Sequence, residues 1–261
     1  MSKVDFNNEI IDEIKNFISA NNNKKLKETL KDIHYADIAE LIDNLNIDEA
    51  TYLIKLLKSD TTADALAEID DEKREKILKN LSAKEIAEEL TELDTDDAVD
   101  IISELPEERK ERVISQIEDD KHIEDIRELL TYNENTAGGL MAKELVKVNE
   151  NLSVLKCLNE MRSQAENVTR VHSIYVVDGK NKLKGRLSLK DLITANSKAK
   201  VKDIFIPNVD YVYVNDENEE VARKMSKYDL EAIPVVNSKK ELLGRITIDD
   251  IVDVIKEEAE K

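Results

Sequence analysis

The sequence predicts a multidomain protein of mixed α and α/β class. A right-handed, solenoid-like helical superhelix is expected over residues 1–130, a hinge or linker over 131–141, and two consecutive β-α-β-β-α units over 142–202 and 203–261. Three observations carry this reading. Of 58 acidic and 39 basic side chains, 37 and 18 fall in residues 1–137, which therefore hold the whole net charge of −19, while residues 138–261 balance at 21 of each. All five glycines lie at or after Gly138. Both halves repeat internally, at different spacings, and spacing is what separates helical hairpins from strand-rich units.

In the first half, Ile38-Ala-Glu-Leu-Ile-Asp-Asn-Leu45 is answered 48 residues later by Ile86-Ala-Glu-Glu-Leu-Thr-Glu-Leu93. Glu68 to Ile77 is answered 36 residues later by Glu104 to Val113. Repeats of this length without glycine read as stacked helices that share one core. Ser82-Ala-Lys-Glu85 has capping-box spacing, Asp94 is placed to cap a helix entering Asp97, and Pro106 suits a first helical turn. His34 and His122 lack a second ligand at helical spacing and read as surface or interface side chains. Asp94, Asp96 and Asp97 crowd one helix start, where capping occupies two carboxylates at most.

In the second half, Ile174 to Ile193 aligns without gaps to Ile233 to Val252, 59 residues on, with eight of twenty positions identical. Each copy reads as an apolar strand, a turn at Asp178-Gly179 or Asn237-Ser238, a strand through a Gly-Arg pair and a closing helix. A strand and a helix precede each copy, at Val146 to Val148 with Leu152 to Arg162, and at Tyr211 to Val214 with Glu219 to Lys227. On the last helix, Asp250, Asp253 and Glu257 fall at i, i+3 and i+7 and so share one face.

Composition excludes several functions. A net charge of −19 opposes binding to a nucleic-acid backbone, which rests on Lys and Arg displacing counterions. Apolar runs such as Ala232 to Val236 fall far short of the roughly twenty residues a membrane helix needs. The first residues lack the apolar core of a signal peptide, and the lone Cys157 cannot close an internal disulfide, which suits a reducing compartment. No phosphate-cradling glycine loop, Cys-His pair or nucleophile motif is present, so the chain reads as non-enzymatic.

The repeated Gly185-Arg-Leu-Ser188-Leu-Lys-Asp191 and Gly244-Arg-Ile-Thr247-Ile-Asp-Asp250 resemble the signature of CBS domains. That likeness implies a paired module able to take an adenine nucleotide, with Ser188, Asp191 and Thr247 towards the ribose; Ser188 and Thr247 serve equally well as helix N-caps. Together with the acidic repeats, the Thr136-Ala-Gly-Gly-Leu-Met141 junction, Leu93-Asp-Thr-Asp-Asp-Ala98, Tyr228-Asp229 and Asp249-Asp-Ile-Val-Asp253, nearly the whole chain resembles the cytosolic region of MgtE-family magnesium transporters and channels.

The MgtE resemblance implies a homodimer joined through the CBS domains, with Leu192, Ile193, Ile251, Val252 and Ile255 in contact. It implies a place on the cytoplasmic side of the cell membrane, with a transmembrane pore domain of the same protein beyond Lys261. Mg2+ is implied as the regulatory ligand, held by Gly139 and Ser226 through their carbonyls and by Glu219, Asp229, Asp250, Asp253 and Glu258. Asp94 would join from the helical domain, with Asp96 or Asp97 as substitutes, and Glu257 adds a carboxylate. Where ATP-binding relatives carry Phe after the Tyr-Asp pair this chain has Leu230, so ATP is expected to bind weakly. The function implied is Mg2+ sensing: the ion bridges the acidic domain to the CBS pair and favours a compact state that shuts the pore. The alternative is an adenine-nucleotide sensor whose helical domain binds partner proteins.

Overall fold

The computed structural model describes residues 6, 8–57, 60–166, 168 and 170–260, with the backbone alone at residues 253 and 257–260. The chain divides into two compact units. The first comprises residues 1–93 and 97–126, and the second comprises Asp94–Asp96 together with residues 127–261.

The first unit is built from short helices: α1 (Asn8–Ser19), α2 (Asn23–Leu30), α3 (Tyr35–Asn44), α4 (Ile47–Leu57), α5 (Asp60–Glu68), α6 (Asp71–Asn80), α7 (Ala83–Leu90), α8 (Thr95–Ser103), α9 (Glu107–Ile114) and α10 (Asp120–Leu129). Helices of this length are marginal alone, so caps and packing must hold them. Ser82 and Glu85 close a capping box at the start of α7, His34 Nδ1 accepts from Ala36 N at 3.2 Å to cap α3, and Asp70 caps α6. Pro106 occupies the N-cap position of α9, one residue before the turn it was expected to start.

Packing skips one helix at a time, α3 on α5, α5 on α7, α7 on α9, and α4 on α6. The repeat explains the ladder, because Ile38 and Ile86, Ala39 and Ala87, Ile42 and Leu90, and Leu45 and Leu93 are equivalent positions and all are buried. The 36-residue echo carries a second device. From α6, Lys73 Nζ donates to the carbonyls of Asp43 and Leu45, both at 2.7 Å, at the end of α3. Its counterpart Arg109, on α9, reaches Leu78 O at 2.6 Å, and also Leu81 O, at the end of α6. Each cation satisfies last-turn carbonyls that otherwise lack partners and lies where the helix dipole favours positive charge.

The second unit contains α11 (Ala137–Leu140), then β1 (Val146–Asn149), α12 (Val154–Ala165), β2 (Ile174–Val177), β3 (Leu183–Leu187) and α13 (Leu189–Thr194). After the two-residue β4 (Ile206–Pro207) come β5 (Val212–Tyr213), α14 (Asn218–Lys227), β6 (Ala232–Val236), β7 (Leu242–Thr247) and α15 (Ile248–Glu260). One sheet has the order β1-β2-β3-β4 and the other β5-β6-β7. In each, the first pair is parallel and the next antiparallel, and a register shift falls at the equivalent Val176/Val177 and Val235/Val236. The expected β-α-β-β-α unit is therefore present twice.

The two hairpin turns are chemically equivalent. Asp178 Oδ1 accepts from Lys180 N and Lys182 N, and Asn237 Oδ1 accepts from Lys239 N and Glu241 N. Asn181 and Lys240 both adopt positive φ. The turns also bond to each other, Leu183 N to Lys240 O at 2.8 Å and Leu242 N to Asn181 O at 2.9 Å, which joins the two sheets.

The counterpart of β4 in the second sheet is a single antiparallel bridge, Ala142 to Arg245. β4 itself adds to the first sheet, with Gly185 opposite Pro207, although it follows residue 202, where the first unit was expected to end. The approach is close enough that a Cβ on Gly185 would lie 2.2 Å from Ile206 O. Gly185→Ala is expected to destabilise by about 1–3 kcal/mol through overpacking, whereas Gly179, with nothing within 4 Å of its Cβ position, should tolerate alanine. Urea unfolding of the two variants checks this. Among the described residues no helix is long and apolar enough to cross a membrane.

Candidate functional site

The stretch read as a linker is tied into the second unit. Ala137 N bonds to Asp216 O at 2.8 Å and Gly138 N to Val214 O at 2.9 Å, and Ala142 exchanges backbone bonds with Arg245 at 2.8 and 3.0 Å. Two glycines are required here by proximity. A Cβ on Gly138 would meet the Tyr132 ring at 2.7 Å, and one on Gly139 would meet Asn133 O at 2.6 Å.

α14 separates the residues expected on it. Glu219 is exposed in its first turn, beside Asn215, Asp216, Glu217, Glu220 and Arg223, which line a cavity of about 290 Å³. Ser226 and Asp229 are exposed at the far end, with Asp229 at φ 50° just past the helix. At about 1.5 Å of rise per residue, Glu219 and Asp229 stand too far apart to share one ion through their own helix. Gly139 is half-buried in α11.

Asp94 lies elsewhere, against Arg245 of β7. Arg245 is only 6% exposed. Its Nη2 lies 3.0 Å from Asp94 Oδ2, and its Nε donates to Glu144 O. Asp94, immediately before α8, therefore pairs with a guanidinium. Beside it, Glu144 Oε2 accepts from Thr95 N at 3.1 Å and Thr95 Oγ1 at 2.8 Å, and Thr95 Oγ1 in turn accepts from Lys143 N at 2.9 Å. Burial pushes the Asp94 carboxyl above the usual range, Glu144 and Asp249 add to the rise, and Arg245 opposes it. Asp97 groups with the first unit, and Asp94 and Asp96 with the second.

At the start of α15, Asp250 Oδ2 accepts from Thr247 N at 2.8 Å and Thr247 Oγ1 at 3.0 Å, and Thr247 also donates to Asp249. Burial raises the Asp250 carboxyl to about 7; the Thr247 amide opposes the rise and the neighbouring Asp249 adds to it. In the first copy, Ser188 Oγ caps α13 by accepting from Asp191 N at 3.0 Å, and it donates to Asp191 Oδ2 at 2.6 Å. Leu230 is half-buried, its N bonded to Met225 O at 3.0 Å. The side chains of Asp253, Glu257 and Glu258 lie outside the described residues.

Sequence reading missed Glu144 and Arg245. The available signal was the Gly-Arg pair that both copies share: Arg186 is exposed and Arg245 buried, so one of two equivalent arginines was free to take another task. The donors here are oxygens, two of them on carboxyls whose charged form burial disfavours. That chemistry fits a hard divalent cation that keeps several waters and takes one or two carboxylates. Among the described residues no group of three or more His, Cys, Asp or Glu is placed to hold a metal ion; Mg2+ keeps several waters and is held by as few as one or two carboxylates.

Comparison with known proteins gives a consistent result. Residues 33–135 match the model of the MgtE intracellular N domain, and residues 137–198 and 201–257 match that of the CBS domain. A stretch of 131 residues is 44% identical to the magnesium transporter MgtE of Thermus thermophilus, and 133 residues are 39% identical to that of Enterococcus faecalis. Each alignment takes in about half of this chain and 29% of the relative, so the chain matches less than a third of the length of these proteins. Among solved structures, the cytosolic domain of the Mg2+ channel MgtE in complex with ATP is similar at a TM-score of 0.86 and 34% identity, covering 94% of this chain and 99% of that one. The soluble part of a magnesium transporter is similar at 0.85 and 29% identity, covering 95% and 98%.

Proposed function

Because the chain belongs to the MgtE family and carries its intracellular N domain followed by a CBS pair, we propose that it is the Mg2+-sensing regulatory region of a magnesium transporter or channel. The observation that carries this reading is the half-buried Asp94 carboxyl, paired with one guanidinium while Glu144 and Asp249 press on it as like charges. Residues 1–137, with their net charge of −19, add to the repulsion. Such charge destabilises any compact arrangement, and salt screens it only partly. Bound Mg2+ would supply the missing positive charge. Asp94 and Asp250 then serve as ligands, with Gly139, Glu219, Ser226, Asp229, Asp253, Glu257 and Glu258 as further candidates. High Mg2+ favours the closed state and low Mg2+ releases it, and closure acts on a pore domain of the same protein.

Small-angle scattering with Mg2+ against KCl of equal ionic strength tests this directly. The radius of gyration should fall with Mg2+ and stay nearly constant with KCl; equal contraction in both salts would reduce the carboxylates to solvated decoration.

A second reading has its own support. Tyr175 Oη and His172 Nδ1 are buried without a hydrogen-bond partner among the described residues, and a solved relative was crystallised with ATP. Nucleotide binding by this chain is proposed to be weak, because Leu230 offers no ring and stacking on an aromatic is worth about 1–3 kcal/mol per base. Leu230→Phe should therefore tighten ATP by roughly 5- to 100-fold in calorimetry. A parent that already binds as tightly as the Phe variant would overturn this.

A further inference from the structure

The carboxylates at Arg245 already have a cation, and it belongs to the protein. Arg245 is buried, its backbone N and O are both bonded to Ala142, and its Nε is occupied by Glu144 O. That leaves Nη2 directed at Asp94 Oδ2, 3.0 Å away. Glu144 and Asp249 act on the same Asp94 carboxyl, and Asp249 and Arg245 both act on Asp250. One guanidinium thus pairs with Asp94, while Glu144 and Asp249 press on the same Asp94 carboxyl as like charges, a local surplus of negative charge that a single cation does not neutralise.

From this geometry we infer that Arg245 is a tethered counter-ion that holds Asp94 when divalent metal is scarce, and that its withdrawal from Asp94 sets the metal concentration at which the site fills. The inference rests on the Mg2+-sensing reading and adds its threshold. Two cations cannot both sit against one carboxylate oxygen in a partly desolvated place without strong repulsion. The metal must therefore displace the guanidinium or bind beside it at a cost. A hydrated ion of charge two prevails only at high concentration, which suits a sensor of an abundant cation. Arg186 holds the equivalent position in the first copy and is exposed, so it supplies an internal control.

The test is a Mg2+ titration of the full chain read by thermal unfolding and by scattering, in the parent and in Arg245→Met, Arg245→Gln, Arg245→Lys and Arg186→Met. Removing the charge should lower the Mg2+ midpoint on the order of tenfold. Arg245→Lys should stay within about threefold of the parent, because it keeps the charge and loses only the fork geometry. Arg186→Met should not move it. Gln retains a donor for Glu144 O, so it carries the expectation if the Met variant does not fold. With Asp94→Asn in the background, removal of Arg245 should have little further effect. A midpoint unchanged or raised in both neutral variants overturns the inference, since Arg245 would then only position Asp94. A parent that ignores Mg2+ fails at the earlier step and overturns the sensing reading itself.

Discussion

Replacing Asp250 and Asp253 together by Asn should raise the Mg2+ concentration needed for compaction and for thermal protection by about tenfold or more, and without Mg2+ the variant should be more stable than the parent at pH 8, where the buried Asp250 charge is unfavourable. Asn keeps the shape of each side chain and removes the charge that attracts the ion. A ligand that binds only one state stabilises it by RT ln(1 + [L]/Kd), about 1.4 kcal/mol per site at ten times each constant, so several weak sites give a steep response. Proton competition supplies an independent signature. The Asp250 carboxyl is raised to about 7 from an ordinary 3.8, with burial as the main cause. Its charged form is disfavoured in the fold, so its contribution to stability is highest at low pH and is lost as pH rises from near 4 through about 7. A cation at Asp250 offsets that loss. Mg2+ should therefore raise the melting temperature more at pH 8 than at pH 6, and the midpoint should climb as pH falls through 7 in the parent but not in the Asn variant. A midpoint that is the same in parent and variant at pH 8 would remove Asp250 and Asp253 from the metal site.

How much of this was legible in the sequence depends on whether the chemistry repeats. The tandem β-α-β-β-α unit was readable because Asp178 and Asn237, Val177 and Val236, and Gly185 and Gly244 recur at one spacing and perform the same backbone tasks in both copies. β4 was not, since two residues ending in Pro207 carry no period and exist as a strand only through their partner. The Lys73 and Arg109 cross-ties are present in the 36-residue echo, but a cation on a helix reads as solvated until the helix end beneath it is known. Asp94 and Asp250 stand out from sequence as surplus carboxylates at helix starts. Their shared environment does not, because Arg245 lies 151 positions from Asp94 along the chain and nothing local distinguishes it from Arg186. The closing helices show a related limit. Leu192 and Ile251, expected at a dimer contact, are 0% exposed and belong to their own cores, while Ile193 is 66% exposed and Val252 and Ile255 remain on the surface. Neighbouring residues on a helix differ by about 100°, so a listing of apolar positions mixes core and surface until the sheet beneath is placed.

On the two closing helices the exposed apolar residues form two stripes. Leu189 and Ile193 lie four apart on α13, and Ile248, Val252 and Ile255 lie at i, i+4 and i+7 on α15, so each stripe is a single helix face. Two such faces on equivalent helices of tandem repeats suit a second copy of the chain, since a self-complementary contact repeats each patch across a two-fold axis. A homodimer through the CBS pair is accordingly proposed. Sedimentation should show a dimer at tens of micromolar, and Ile193→Lys with Ile255→Lys should convert it to monomer. Two unpaired charges buried in an apolar contact weaken it by at least about 2.7 kcal/mol, or a hundredfold in the dissociation constant. Both side chains are exposed within the chain itself, so the variant should keep the parent's melting behaviour when extrapolated to low concentration, where dimerisation no longer contributes. Leu192→Ala is the contrast: it opens a cavity in the core of the first copy, costs about 2–5 kcal/mol of stability and affects dimerisation only through unfolding. A parent that sediments as a monomer, or a double-Lys variant that remains a dimer, would place the interface elsewhere and leave the two stripes for another partner.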